Sequence, residues 1–350
     1  MSDTPCIAID AMSGELGPEE VAAALALGYK EFKDYPNVIL VGDETKLKLL
    51  MKLYRLPENR VSIVHAPEVI EMHEKPLQAL KCKKNASLPV AIDLVKAGQA
   101  DGALSCGNTG ALVAAGTLKL RTMEGVERPA LATIMPTRKQ HFVMLDAGAN
   151  PMSEPQHLTH NAILGSHFAQ VALHIKEPRV GLLTIGTEQG KGTPTTNTAD
   201  EQLQSISGII NYTGLIEGFQ VFENKVDVVV CDGFTGNILL KTCEGLFKHI
   251  SGYAKDEMKK NPLRMLGALL SIGAFKAIKK QLSPERYAGV PLLGLKGNVF
   301  KTHGGASRVA IMNAVRIAGE TISHKMCQRA CEDIQKANLI LEKASTTAAK

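Results

Sequence analysis

The chain has 350 residues, of which 45% are hydrophobic and 21% charged, with a formal net charge of +5. Such a composition fills a core and excludes disorder, and at roughly 150 residues per domain it allows two lobes or one large α/β unit. Aromatic residues are only 4% and Trp is absent, which argues against base-stacking surfaces, and so small a charge does not point to nucleic acid.

Cys6, Cys82, Cys106, Cys231, Cys243, Cys327 and Cys331 are odd in number, scattered and without a C-x-x-C pair, so neither a disulfide framework nor a zinc site is expected. The ten histidines show neither H-x-x-x-H nor H-E-x-x-H, and no metal site is expected from them. The first residues lack a basic region and a long apolar stretch, and no run approaches the ~18 apolar residues of a membrane span. A cytoplasmic enzyme is the expectation.

The opening reads strand, glycine turn, helix: Cys6 to Met12, then Ser13-Gly14-Glu15-Leu16-Gly17-Pro18, then Glu19 to Phe32 with helical apolar spacing. Pro18 suits a first helical turn, and Glu19 and Glu20 suit its positive end. Val38 to Val41 and Val61 to Val64 are further strands, with a helix near Thr45 to Leu53 between them. Short β-rich runs alternating with longer helices imply a mostly parallel sheet of βαβ units.

The same junction recurs at Gly102 to Ser105 before Cys106-Gly107-Asn108-Thr109-Gly110, and at His141 to Leu145 before Asp146-Ala147-Gly148-Ala149-Asn150. It returns at Val180 to Ile185 before Gly186 to Thr193, and at Val226 to Val230 before Cys231-Asp232-Gly233-Phe234-Thr235-Gly236-Asn237. Ligand crevices of open α/β sheets lie at the carboxyl ends of strands, so these loops are expected to converge there. Thr235 is a candidate helix N-cap, and Asp10, Asp146 and Asp232 each close a strand, where loop amides or a metal would bind them.

Residues 255–284 break the pattern. Leu263, Met265, Leu266, Leu269, Leu270, Ile272, Phe275 and Ile278 form an apolar stripe bordered by lysines and Arg264, with Pro262 and Gly273 dividing it into short helices. Between Lys255 and Lys301 there are ten Lys or Arg against three acids, a basic patch suited to an acidic macromolecule or an anionic lipid surface. The stripe fits helix packing, dimer formation or a lipid surface. A strand at Pro291 to Gly294, a helix from Ala306 to Ser323 and a polar-faced last helix complete the chain.

Gly186-Thr187-Glu188-Gln189-Gly190-Lys191-Gly192-Thr193 is one residue short of a P-loop, and Gly192 stands where the magnesium-binding Ser/Thr belongs. A glycine loop with one lysine still suits a small anion; a plain β-to-α turn with a solvated lysine is the equal alternative. Ala103 to Gly107 approaches a nucleophile elbow, but a buried packing role suits Cys106 better. Asn108 and Thr109 read as neutral donors at a helix start, where an anion gains from the dipole.

Seven segments in this order resemble the PlsX family of phosphate acyltransferases: Ile9 to Pro18, Ser105 to Ala111, Asp146 to Asn150, Gly186 to Gly192, Asp232 to Asn237, Tyr287 to Gly294 and His303 to Ser307. The chain departs from the family pattern at Ser13-Gly14-Glu15, usually Gly-Gly-Asp, at Thr187-Glu188-Gln189, usually Asn-Glu-Glu, and at His303-Gly304-Gly305, commonly His-Gly-Ser. The resemblance implies a three-layer α/β/α sandwich like that of phosphotransacetylases and isopropylmalate dehydrogenases, as one α/β unit over residues 1–350 from which residues 255–284 protrude.

It further implies acyl transfer from a long-chain acyl-(acyl carrier protein) to inorganic phosphate for phospholipid synthesis, by a homodimer bound peripherally to the inner face of the membrane. Phosphate is itself the nucleophile in that chemistry, so no cofactor is expected; positioning and oxyanion stabilisation remain. Lys191, His303 and Asn108 are the catalytic candidates. Asp10, Gly14, Gly107, Thr109, Gly110, Asn150, Gly190, Gly192, Asp232, Thr235 and Asn237 are the candidates for phosphate and substrate binding. A phosphotransacetylase acting on acyl-coenzyme A, or a non-catalytic carrier-protein or membrane adaptor, are the alternatives.

Overall fold

A computed structural model describes residues 4–188, 190–282 and 288–348. Gln189, Tyr287 and the last two residues of the 255–284 segment lie outside these. The first part of the chain forms β1 (Cys6–Asp10), α1 (Gly17–Glu31), β2 (Asn37–Gly42), α2 (Glu44–Leu53), β3 (Val61–His65), α3 (Pro76–Cys82), α4 (Ser87–Lys96), β4 (Gly102–Ser105), α5 (Thr109–Leu120) and β5 (Ala130–Leu131). Then come β6 (Thr133–Pro136), β7 (His141–Leu145), α6 (Pro155–Ala172), β8 (Arg179–Thr184), α7 (Pro194–Ser205), β9 (Asn211–Glu217) and β10 (Val228–Val230). The remainder is α8 (Gly233–Lys259), α9 (Pro262–Leu270), α10 (Ile272–Leu282), β11 (Val290–Leu293), β12 (Asn298–Lys301), α11 (Arg308–Ser323) and α12 (Met326–Ala348).

The strands sort into two sheets. One runs β3-β2-β1-β4-β12-β11-β5 and the other β6-β7-β10-β8-β9. β3, β2, β1, β4 and β12 are mutually parallel, as are β7, β10, β8 and β9; β11 makes antiparallel ladders with β12 and β5, and β6 with β7. The chain leaves the first sheet after Leu131, builds the second, and returns at Val290. Parallel strands covered on both faces need side chains that are apolar throughout, and Ile7–Ile9, Val228–Val230 and Phe142–Leu145 meet that need at 0% exposure.

Helices line both faces. α1 and α11 bury Val21, Leu25, Ile311 and Val315 against one side of the first sheet, and α4 and α5 bury Leu88, Ile92 and Leu112 against the other. Behind the second sheet Leu158, Ile163 and Phe168 of α6 join Leu203 of α7 and Ile334 of α12. That cluster also takes in Leu293 of β11 and Ile317 of α11, so one apolar core runs across both sheets. On the opposite face Leu239, Leu240 and Cys243 of α8 pack on Phe142, Met144 and Val229. The α/β/α layering follows.

Pro262 opens α9, as the sequence indicates, but the next break falls at Ser271 rather than Gly273: the Ser271 N–H bonds the Gly267 carbonyl at 3.0 Å and α10 starts at Ile272. No residue of α9 is buried, and residues 272–278 of α10 are all exposed. Among the described residues no helix is long and apolar enough to cross a membrane.

Candidate active site

Strand register sets the first rim. Asp10 pairs with Ser105 across β1 and β4, and Ser105 with Lys301 across β4 and β12, so three polar residues end neighbouring strands at one level. The Ser105 hydroxyl donates to Asp10 Oδ2 at 2.6 Å and accepts the Gly107 N–H at 2.9 Å. Asp10 Oδ1 accepts the Met12 and Ser13 N–H groups, each at 3.3 Å. Asp10 therefore organises its own loop.

The loops above these strands interlock. The Glu15 N–H reaches the Gly304 carbonyl at 2.9 Å, and the Thr302 N–H the Ser105 carbonyl at 3.1 Å. A Cβ on Gly107 would lie 2.6 Å from Ser13 Cβ, and one on Gly14 3.2 Å from Cys106 Cβ. Close approach of the two loops thus leaves no room for a side chain at 107 and little at 14. His303 is exposed and its Nδ1 accepts the Gly305 N–H at 3.2 Å.

Cys106 is buried, and desolvation pushes its thiol up to about 12. A thiol at that value carries almost no thiolate at neutral pH, which argues against Cys106 as a nucleophile, while Ser105, the serine of the elbow, is buried with its hydroxyl donated to Asp10. Asn108 also differs from expectation. Its Oδ1 caps α5 by accepting the Ala111 N–H at 3.0 Å, and its Nδ2 donates to the Met72 and Glu74 carbonyls at 2.8 and 3.1 Å. The side chain is a cap and a strut for residues 72–74, so donors at this helix start come from the first main-chain N–H groups, beginning with Thr109 and Gly110.

The second rim lies at the ends of β7, β10 and β8, which are neighbours in register at Leu145, Val230 and Leu182. Asp146 is fully buried and accepts N–H groups from Leu131, Gly148, Ala149 and Asn150. Burial raises its pKa against the lowering effect of those donors. Asn150 donates to the Pro129 carbonyl at 2.6 Å and to Asp146 Oδ2 at 3.0 Å, so its amide holds the loop instead of facing a ligand. Asp232, not Thr235, caps α8: its Oδ1 accepts the Thr235 N–H at 2.8 Å and its Oδ2 the Thr235 hydroxyl at 2.7 Å. Carboxylate capping satisfies helix donors better than the hydroxyl that the sequence offered.

Asp10, Asp146 and Asp232 follow strands of two different sheets, each is held by its own loop, and among the described residues they do not group as metal ligands. The metal-like cluster among the described residues is Glu127, Glu154 and His157. Both ring nitrogens of His157 are already engaged there, Nδ1 by the Glu154 N–H at 3.1 Å and Nε2 by Glu127 at 2.8 Å.

Two donors of the second rim remain open. Asn237 is exposed beside Gly148, where an added Cβ would stand 3.3 Å from Asn237 Cβ. Lys191 is exposed and pairs with Glu188 at 2.8 Å, which raises the lysine pKa and lowers that of the acid. An exposed pair of this kind is weak and yields readily to a competing anion. Gly190 and Gly192 have φ of +85° and +110°, and a Cβ on Gly192 would crowd Thr196 and Thr184 hydroxyls at 2.7 and 2.9 Å. The lysine loop turns as it does because both positions are glycine.

The two rims are linked. The Ala147 N–H bonds the Leu131 carbonyl at 2.8 Å, tying the loop after β7 to the edge of the first sheet. Burial lowers the pKa of Lys301 on β12, and the charge of Lys241 on α8 adds a smaller push in the same direction. Lys301 closes the basic stretch that begins at Lys255, but it is only 7% exposed. Its place as last residue of a strand, two before His303, was the signal for it.

A family profile described as "Fatty acid synthesis protein" matches residues 6–329. The chain is 39% identical over 330 residues to the phosphate acyltransferase of Syntrophotalea carbinolica, covering 94% of both chains. It is 42% identical over 315 residues to that of Nitrosococcus oceani, covering 89% of this chain and 91% of the relative. A solved phosphotransacetylase from Streptococcus pyogenes is similar in fold, with a TM-score of 0.62 at 17% identity over 93% of this chain and 95% of that one. Agreement of this depth along nearly the whole of both relatives means that the chain belongs to the phosphate acyltransferase (PlsX) family of acyltransferases.

Proposed function

We propose that this protein transfers a long-chain acyl group from an acyl-(acyl carrier protein) thioester to inorganic phosphate. A phosphate oxygen attacks the thioester carbon, the C–S bond breaks, and the carrier thiolate takes up a proton as the acyl phosphate leaves. The reaction needs no enzyme nucleophile, which agrees with a Cys106 thiol held protonated by burial. Lys191 and Asn237 supply charge and a neutral donor to phosphate, the start of α5 offers N–H groups at Thr109 and Gly110, and His303 handles the proton.

The observation that carries this reading is 39% identity to a phosphate acyltransferase across 94% of both chains. Purified protein with long-chain acyl-carrier substrate should release free carrier and form an acyl phosphate, trapped by hydroxylamine, only when phosphate is present. Release that does not depend on phosphate overturns the reading, and faster turnover of acetyl-coenzyme A would replace it with a phosphotransacetylase. Lys191→Ala should raise the KM for phosphate about tenfold, one charge-assisted contact being removed.

We place the enzyme in the cytoplasm as a homodimer, bound peripherally to the inner face of the membrane. Exposed Leu263, Leu266, Leu269 and Leu270 on α9 and the lysines around them support this, since an apolar face edged with cations suits an anionic lipid surface. Size-exclusion chromatography and sedimentation with anionic vesicles test it; a monomer that ignores vesicles excludes both parts.

A further inference from the structure

Lys301 is the one buried Lys or Arg among the described residues. An ammonium taken out of water costs several kcal/mol unless it is paired and hydrogen-bonded. Yet among the described residues it is in no ion pair within 4 Å: its hydrogen bonds run to the Cys106 carbonyl at 3.4 Å and to the Thr302 carbonyl. Those carbonyls begin the two loops of the first rim, the one leading into α5 and the one carrying His303. The charged groups that act on it are Asp10 at the end of β1 and Glu15 in the loop above, which favour the ammonium, and Lys241 on α8, which disfavours it; the titratable Cys106 thiol after β4 is neutral. A buried cation bridging two loops that carry candidate groups is costly as packing alone, since a methionine would fill the same space without desolvation.

We propose that Lys301 is a positioning residue of the acyl-transfer centre, its ammonium holding the Cys106–Thr109 and Thr302–Gly305 loops together and setting a fixed positive charge behind them. This role rests on the function proposed above. The fixed charge strengthens the first N–H groups of α5 as donors to the oxyanion that forms when phosphate adds to the thioester, and a charge already in place needs no reorganisation in the transition state. Burial lowers the Lys301 pKa to about 8, with Asp10 and Glu15 opposing and Lys241 assisting. The charge is therefore present at neutral pH and lost as pH rises through that value.

The test is steady-state turnover of long-chain acyl-carrier substrate with saturating phosphate by the wild-type protein, Lys301→Met and Lys301→Arg. Lys301→Met should lower kcat about 10–100-fold, the scale for groups supporting a site from behind, with KM for phosphate little changed. Lys301→Arg should recover most of the loss. Wild-type kcat should fall as pH rises through about 8, and that limb should vanish in Lys301→Arg, whose guanidinium stays charged. Full kcat in Lys301→Met, or a wild-type profile flat across this range, overturns the role of Lys301 alone. If neither variant folds by circular dichroism, the wild-type profile decides. Wild-type protein without phosphate-dependent turnover overturns the proposed function, and this role with it.

Discussion

Helices α6 and α9 carry opposite chemistry and meet opposite fates. α6 contains three histidines, an asparagine, a threonine and a serine, yet fourteen of its eighteen residues are buried. α9 reads Pro-Leu-Arg-Met-Leu-Gly-Ala-Leu-Leu and buries none. The difference lies in what surrounds each. α6 is enclosed by the second sheet, α7, α11 and α12, and several of its polar groups find partners there: His160 Nε2 with Asn338 at 2.8 Å, His167 Nε2 with Asp333 at 3.0 Å, and Thr159 with Gln202 at 2.9 Å. α9 follows the far end of α8, beyond the sheet. A helix is buried by its neighbours, and here each of these histidines is held inside by one hydrogen bond at Nε2 while its Nδ1 has no partner among the described residues.

Three experiments sharpen or break that contrast. The largest effect belongs to Phe168→Ala in α6. Phe168 is 1% exposed within the core shared by both sheets, so the variant should lose about 3–5 kcal/mol in urea unfolding. A loss below 1 kcal/mol would mean that α6 is less tightly enclosed than its burial implies.

An intermediate effect comes from acid. Burial holds His160 and His167 below the ordinary histidine value, so both resist protonation in the folded protein, while unfolded histidines titrate near 6.5. The unfolded chain then binds more protons below that pH, and stability is kept above 6.5 and declines as pH falls beneath it. The urea midpoint should drop between about pH 7.5 and 5.5, and the drop should shrink in a His160→Gln, His167→Gln variant. An equal drop in that variant would assign the sensitivity elsewhere.

The smallest effect on folding is expected in α9. Leu266 and Leu270 are 54% and 80% exposed, so Leu266→Glu with Leu270→Glu should change unfolding free energy by no more than about 0.5 kcal/mol. The same pair should abolish vesicle sedimentation or dimer formation. Wild-type behaviour in both assays would leave α9 without a partner surface; a large loss of stability would show that it packs within its own chain.

Much of the site was legible because glycine, asparagine and aspartate after a β-rich run mark strand-end loops whatever the fold. The junctions at 10–18, 105–110, 146–150, 186–193 and 231–237 all fall where that reading puts them. The division of these loops between two rims was not legible, because strand order depends on pairings between distant segments, such as β12 inserting beside β4. Side-chain direction was equally hidden. Asn108 and Asn150 have donors suited to an anion, but main-chain carbonyls of residues far along the chain take them.

From residue order alone come the alternation of strands and helices, the glycines that turn the lysine loop, the family resemblance and the basic apolar segment, because each depends on local spacing or on matched motifs. Only the assembled fold decided which polar groups stay open and which are enclosed. Lys301 shows the reason: a lysine at the end of a strand is a surface residue until β4 and the loops beginning at Cys106 and Thr302 close around it, and desolvation is a property of those neighbours rather than of the side chain.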